Sequence, residues 1–350
     1  MRCNRGRLTR TLTLCLLLSS SYPFIGQRAS KEETKAGTKK GDHDEPVDLS
    51  RLQRPVLWHD PGSIGSLDLF YGQGGRDGQP AGPFKFDSED MHGTNPKFDV
   101  HDARGTKWRV KLGDEAQPEV VASRLLWAVG YFVEDDYLLP TAEIESLHIE
   151  RGSKLAQGGM VKNARFARKP EGQSEIGMWR WKQSPFSGTR EFNGLRVMMA
   201  VINNWDLKDE NNSVFEDKKS GESIFITRDI GATFGTNGVS WSKDRSKGDV
   251  ATYEKSKFIT HKSGAQVDFA TPAAPDLLTA PNVEQYEMRR GLEWIGKDIP
   301  ITDARWIGSL LKQLSHQQLV DAFRAGHFPP KEVESYVKVI ERRIQELAVL

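Results

Sequence analysis

Nine residues from 204 to 212, "NWDLKDENN", bring several useful groups close together along the chain. Asp206 can accept a proton from a hydroxyl, and Lys208, two residues on, can offset negative charge that develops during a transfer step. Asn211 supplies an amide oxygen, a hard donor of the kind that Mg2+ takes. A second hard donor stands downstream in Asp229-Ile230-Gly231, and upstream Lys111 and Glu119 offer a cation with a carboxylate to hold it. Lys107 and Arg109 are rival cations beside Lys111. Singly, each charge reads as a solvated surface residue. In this order they read as a phosphoryl-transfer set: a base, a neutralising lysine, two metal ligands and a cation for phosphate.

Such a set needs particular elements to carry it. "PFKFD" alternates Phe84 and Phe86 with polar neighbours, and "KFDV" (97–100) and "TKWRVKL" (106–112) continue the strand pattern, with "HDARG" as a hairpin turn between the last two. Trp108, Val110 and Leu112 fall on one face of the third strand. Lys107, Arg109 and Lys111 fall on the other, so this half-buried strand presents cations. Pro118 opens a helix that runs to about Tyr131, with Glu119 near its positive end and Gly130 marking its close. Strand pieces are expected at "DDYLLP" and "MVKNARFARK". A second helix spans about 190 to 203, with Leu195, Met198, Met199 and Ile202 as one apolar stripe. The polar loop comes next, then Val214 and Phe215, a turn "EDKKSGES", a strand "IFIT" and "RDIGATFG". The last hundred residues read as mainly helical. Between the first two strands, where a glycine-rich loop would cover phosphates, GxGxxG is absent. "SEDMHGTNPKFDV" stands there, and Gly93, Thr94 and Asn95 offer backbone and side-chain contacts to phosphate.

The catalytic loop of protein kinases reads H-R-D-L-x-x-x-N, and "DLKDEN" puts Asp206, Leu207 and Asn211 in the last matching places; Asp229-Ile230-Gly231 stands where D-F-G would. "GTNPKFDV", "KWRVKLG" and "PEVVASRLLWAVGY" resemble the small lobe of the atypical protein-kinase-like superfamily. The branch they resemble most is that of the HipA-like and phosphatidylinositol-kinase-like enzymes, over roughly residues 83 to 235. The resemblance implies an α+β, bilobal protein-kinase-like fold, with a small sheet-rich N-lobe (56–183) and a larger helical C-lobe (184–350). It also implies ATP and Mg2+ as ligands, and a hydroxyl acceptor on a protein, lipid or small molecule. Carried over by position, Asp206 is the base, Asn211 and Asp229 are the metal ligands, and Lys111 is the phosphate cation paired with Glu119. The chain departs from the pattern where Asn204-Trp205 replaces His-Arg, and it has no A-P-E motif.

Composition frames these readings. Hydrophobic residues make up 37% and charged residues 28% of 350 positions, ordinary values for a globular chain with room for two cores. Arg2, Arg5, Arg7 and Arg10 precede an apolar run from Leu12 to Leu18 and then three serines, the pattern of a secretory signal peptide over 1–26. That run is too short for a mature transmembrane helix, and it predicts an exported, periplasmic or secreted protein. Both cysteines, Cys3 and Cys15, lie within the expected leader 1–26. Losing its four arginines would take the formal net charge from +1 to −3, without the basic footprint of a nucleic-acid binder. Residues 27–55 are polar and charged and read as a disordered linker. Two rivals stand beside the kinase reading. One is a non-catalytic kinase-like nucleotide-binding or scaffold protein of the cell envelope. The other is a hydrolase built on His43-Asp44, His59-Asp60 or His101-Asp102, or on the Ser240-Trp-Ser-Lys243 match to S-x-x-K; it lacks both H-x-x-x-H spacing and the partner motifs.

Overall fold

Alternating apolar and polar residues in the first half produce a closed five-stranded barrel in this computed structural model. Residues 45–93, 95–237, 245–270, 287 and 290–350 are described. The barrel strands are β2 (Phe84–Asp90), β3 (Lys97–His101), β4 (Lys107–Lys111), β5 (Asp136–Glu145) and β6 (Met160–Arg168), in the order β2-β3-β4-β6-β5. Adjacent strands are antiparallel, except that β2 closes on β5 in parallel. Phe98, Val100, Trp108, Val110 and Phe166 fill its inside and are fully buried. The turn between β3 and β4 forms as its sequence predicts. The Asp102 carboxylate accepts from the amides of Arg104 and Thr106 (both 2.9 Å) and from the Trp108 indole (3.0 Å).

Because side chains alternate across a strand, the residues between those core positions point out of the barrel. Helix α1 (Ala116–Ala128) covers part of that outer face, packing on β5 and β6 and against helix His316–Ala325. It begins two residues before Pro118. Gly130, at φ +94°, ends it.

A second sheet has the order β1-β9-β8-β7, from β1 (Pro55–Val56), β7 (Gln173–Gly177), β8 (Asn212–Asp217) and β9 (Ser223–Thr227). β7, a strand that the sequence did not announce, pairs with β8, and the barrel ends at Arg168. Residues 45–55 were expected to be disordered. Instead they hold a 3-10 turn, Leu49–Arg51, and β1, which adds in parallel to β9; the Val47 amide also donates to the Met178 carbonyl at 2.8 Å. Backbone hydrogen bonding to an exposed sheet edge orders this polar stretch, and composition does not record it. The leader (1–26), the linker up to residue 44, His43-Asp44 and residues 240–243 lie outside the described residues.

Helix α2 (Arg190–Val201) was expected to bury one stripe. It buries every residue from Phe192 to Val201, including Asn193 and Arg196. A central helix packed on all sides needs no polar face, and Arg196 is accommodated by carbonyls of Trp294, Ile295 and Lys297. The C-terminal part contains helices Ile301–Leu311, His316–Ala325 and Pro330–Ala348. It also contains a three-stranded sheet (Ile259–Ser263, Gln266–Phe269, Ile299–Pro300) that the sequence did not announce, its first strand mostly exposed and the other two burying Val267, Phe269 and Ile299. Among the described residues, no helix is long and apolar enough to cross a membrane.

Candidate active site

Strand register creates the centre of the site. Lys111 is directly opposite Lys97 on one side and Arg165 on the other, so three cations line up across β3, β4 and β6 on the outer face of the barrel. Adjacent like charges repel, and burial removes the water that would screen them. Carboxylates from other elements balance them. Glu119, 1% exposed on α1, reaches Lys111 Nζ at 2.7 Å and Arg165 at 3.6 Å. Asp229 pairs with Lys111 through one oxygen and with Lys97 (3.4 Å) through the other. Glu115 adds a third carboxylate, 3.0 Å from Lys111.

These pairings set the charge states. Burial would push Lys111 down, but Glu119, Asp229 and Glu115 outweigh it and hold its pKa above the ordinary lysine value. Burial would likewise raise Asp229, yet Lys111 and Lys97 keep it well below the usual carboxylate range. The alternation continues along the cleft wall. Arg165 pairs with Glu134 (2.6 Å), Glu134 with Arg228 (3.3 Å), and Arg228 with Glu175 (2.7 Å). Glu134, which burial alone would raise, is held at about 2 by Arg165 and Arg228.

Loop backbone positions the downstream groups. The Trp205 amide donates to the Ala232 carbonyl (3.1 Å) and the Phe234 amide to the Ile202 carbonyl (2.9 Å), tying the 202–205 loop to the segment after Asp229. The Arg228 amide donates to the Asn211 carbonyl at 2.7 Å, so Asp229 follows directly on a residue bonded to Asn211. Asp229 itself sits at φ +51°, an uncommon conformation for a non-glycine residue and one often found at functional turns. Gly231 packs against the backbone of Glu115, where an added Cβ would come within 2.5 Å of Glu115 Cβ and 2.7 Å of its carbonyl oxygen.

Lys111, Glu119, Asn211, Asp229 and Gly93 therefore line one cleft of about 400 Å³. Asp206 and Lys208 do not line it. They pair with each other at 3.0 Å, and Asp206 reaches the cleft only through its carbonyl, which accepts from Asn211 Nδ2 at 2.7 Å. Asn95 is directed elsewhere, donating to Glu115. Thr94 lies outside the described residues. Of the rival cations, Arg109 lines the cleft but is engaged by Asp99 and Asp90, and Lys107 is exposed.

Sequence reasoning missed Lys97, Arg165 and Glu115. The cross-strand register that places the first two is invisible along the chain. Glu115 had a signal, the four-residue spacing Lys111, Glu115, Glu119, which the search for one strand lysine and one helix glutamate passed over. Glu115, Glu119 and Asp229 each bring a carboxylate oxygen within 4.8 Å of the others, a spacing that would suit a cation. Lys111 already supplies that cation, so this trio is an ammonium cage. Asp229 and Asn211 bring a carboxylate and an amide to the same cleft, and the adjacent Asn212, also in its lining, buries its amide oxygen without a hydrogen-bond partner. His101 is engaged by Asp87 and Asp102 caps its turn, so that pair forms no hydrolytic site.

The chain is similar to a solved kinase. The structure is that of a Helicobacter pylori proinflammatory kinase, CtkA, at 10% identity and a TM-score of 0.44, covering 76% of this chain and 96% of that one. No protein family matches the sequence, and no curated protein does. At that identity and score the likeness carries no argument, and the site geometry stands without it.

Proposed function

We propose that the cleft binds ATP with Mg2+ and that the chain is a phosphotransferase of the protein-kinase-like superfamily, acting on a hydroxyl acceptor. The observation that carries this is the Lys111 ammonium, fully buried, held between Glu119 and Asp229 in a cleft that Asn211 also lines. The three N–H donors of this ammonium are taken by Glu115, Glu119 and Asp229, so a phosphate oxygen would replace one of these carboxylates on it, with Glu119 keeping the lysine in place. Asp229 and Asn211 would hold Mg2+, which when bound neutralises phosphate charge. Asp206 would accept the hydroxyl proton, and Lys208 beside it would offset charge on the transferred group. In this reading the barrel half is the small lobe of a bilobal fold and the helical part is the large lobe. Membership of the HipA-like and phosphatidylinositol-kinase-like branch, and export to the periplasm or beyond, belong to the same proposal.

One observation favours the alternative of a nucleotide-binding scaffold without turnover: Asp206 and Lys208 pair with each other outside the cleft lining. Incubation of the purified chain with γ-labelled ATP and Mg2+ separates the two. Label transfer, to the chain itself or to an added hydroxyl acceptor, that disappears in Asp206→Asn while the fold is retained supports the kinase. Magnesium-dependent ATP binding lost in Asp229→Ala, with no transfer by the wild type, supports the scaffold. Absence of ATP binding by folded wild type defeats both.

A further inference from the structure

One side chain outside the cleft shapes the turn that follows β2. Arg151 donates through Nη1 to the carbonyl oxygens of Asp90 (3.4 Å) and His92 (3.1 Å). Through Nη2 it donates to those of Gly93 (2.5 Å) and Asn95 (3.3 Å). The segment carrying Arg151 is fixed in turn, because the amides of Glu150 and Arg151 donate to the Glu89 carboxylate at 2.7 and 2.9 Å. The next residue, Gly152, lies so close to Pro96 that a Cβ there would come within 2.3 Å of Pro96 Cγ. Pro96 links this assembly to the cleft lysine, since its carbonyl accepts from the amide of Leu112, the residue after Lys111, at 3.0 Å.

In a trans peptide the C=O and the following N–H point in opposite directions. With the Asp90 and His92 carbonyls turned onto Arg151, the amides of Met91 and Gly93 face away from it, while Asp90, His92 and Gly93 line the cleft. Amides converging on a concavity form an anion-binding nest. A guanidinium, with a rigid planar fork of donors, can gather several carbonyls at once in a way that an ammonium cannot. We infer that Arg151 is a positioning residue for phosphate binding. It touches no ligand, and it presets the turn so that the amides of Met91 and Gly93 face the nucleotide's phosphates, while the amide of His92 is taken by the Asp90 carboxylate at 2.9 Å. This rests on the nucleotide reading of the cleft.

The test measures ATP, ADP and adenosine binding in the presence of Mg2+ by calorimetry for wild type, Arg151→Ala and Arg151→Lys. Alongside it, amide hydrogen exchange at Met91 and Gly93 is followed without nucleotide. In Arg151→Ala, ATP and ADP affinity should fall about tenfold or more, the scale of losing support behind a binding group, with adenosine within about twofold. Exchange at the two amides should accelerate, and Arg151→Lys should fall between wild type and alanine. Unchanged ATP affinity, unchanged exchange, or adenosine weakened as much as ATP each overturns the inference, the last by reducing Arg151 to a general structural role. If the alanine variant does not fold, the lysine variant carries the comparison. Folded wild type that binds neither ATP nor adenosine defeats the nucleotide reading, and this inference with it.

Discussion

Replacing Glu119 with glutamine tests the centre of the site, because one carboxylate there serves two buried cations. Glu119→Gln keeps the shape and removes the charge that faces Lys111 at 2.7 Å and Arg165 at 3.6 Å. Removing one partner of a buried pair costs about 3–5 kcal/mol, since it strands the other charge. Here the lower end applies: Lys111 keeps Glu115 and Asp229, and Arg165 keeps Glu134 and Asp136. A loss of about 3 kcal/mol in a folded region of this size lowers the thermal midpoint by about 4–5 °C. The assay is thermal and denaturant unfolding at pH 7 for wild type, Glu119→Gln, Lys111→Met and the double variant. Residues in direct contact should couple by about 1–2 kcal/mol, so Glu119→Gln should cost clearly less in the Lys111→Met background. The residual cost reports its second partner, Arg165. If the two substitutions add without coupling, the Lys111–Glu119 contact contributes nothing, and preorganisation of the lysine falls with it.

Other expectations follow from the same geometry. Gly231→Ala forces a methyl onto the Glu115 backbone and should cost about 1–3 kcal/mol while displacing the start of α1; a midpoint equal to wild type in denaturant unfolding would refute that close approach. Asp135 is raised from 3.8 to about 6 by burial and by the adjacent Asp136. The folded chain therefore keeps a proton that the unfolded chain has given up, and stability should fall by up to about 3 kcal/mol as pH rises from 4 through 6. Asp135→Asn should remove that slope in pH-dependent unfolding, and an unaltered slope would show that the group titrates normally. Asp229 has the opposite sign: its lowered pKa contributes stability that is present above about pH 4 and is lost on acidification. Asp229→Ala should flatten the acid limb of the stability profile, and an unchanged acid limb would deny its pairing with Lys111.

Local patterns gave the elements, while the surroundings of each element came from the assembled chain. The alternation of Phe98, Val100, Trp108 and Val110 was readable because strand side chains obey a two-residue period, and all four fill the barrel. The polar face of the same strand was read as cationic, and its three cations differ in burial: Lys107 is exposed, Arg109 half-buried and Lys111 buried. α1 covers Lys111, and no property of residues 106–112 says so. α2 shows the same limit: its apolar stripe was visible, but a helix buried on every side is recognised only once the sheets and helices around it are assembled.

By itself, the sequence determined which groups were at hand: Lys111, Glu119, Asn211 and Asp229, in chain order and on a strand, a helix and two loops. Only the tertiary structure decided how they meet. Cross-strand register brought Lys97 and Arg165 to either side of Lys111, and the backbone bonds between 202–205 and 232–234 set the loops against each other. It also left Asp206 paired with Lys208 and outside the lining of the cleft. The division has a simple cause: propensity and periodicity are properties of neighbours along the chain, whereas the pairing of Asp229 with Lys97 and Lys111 joins residues 132 and 118 positions apart.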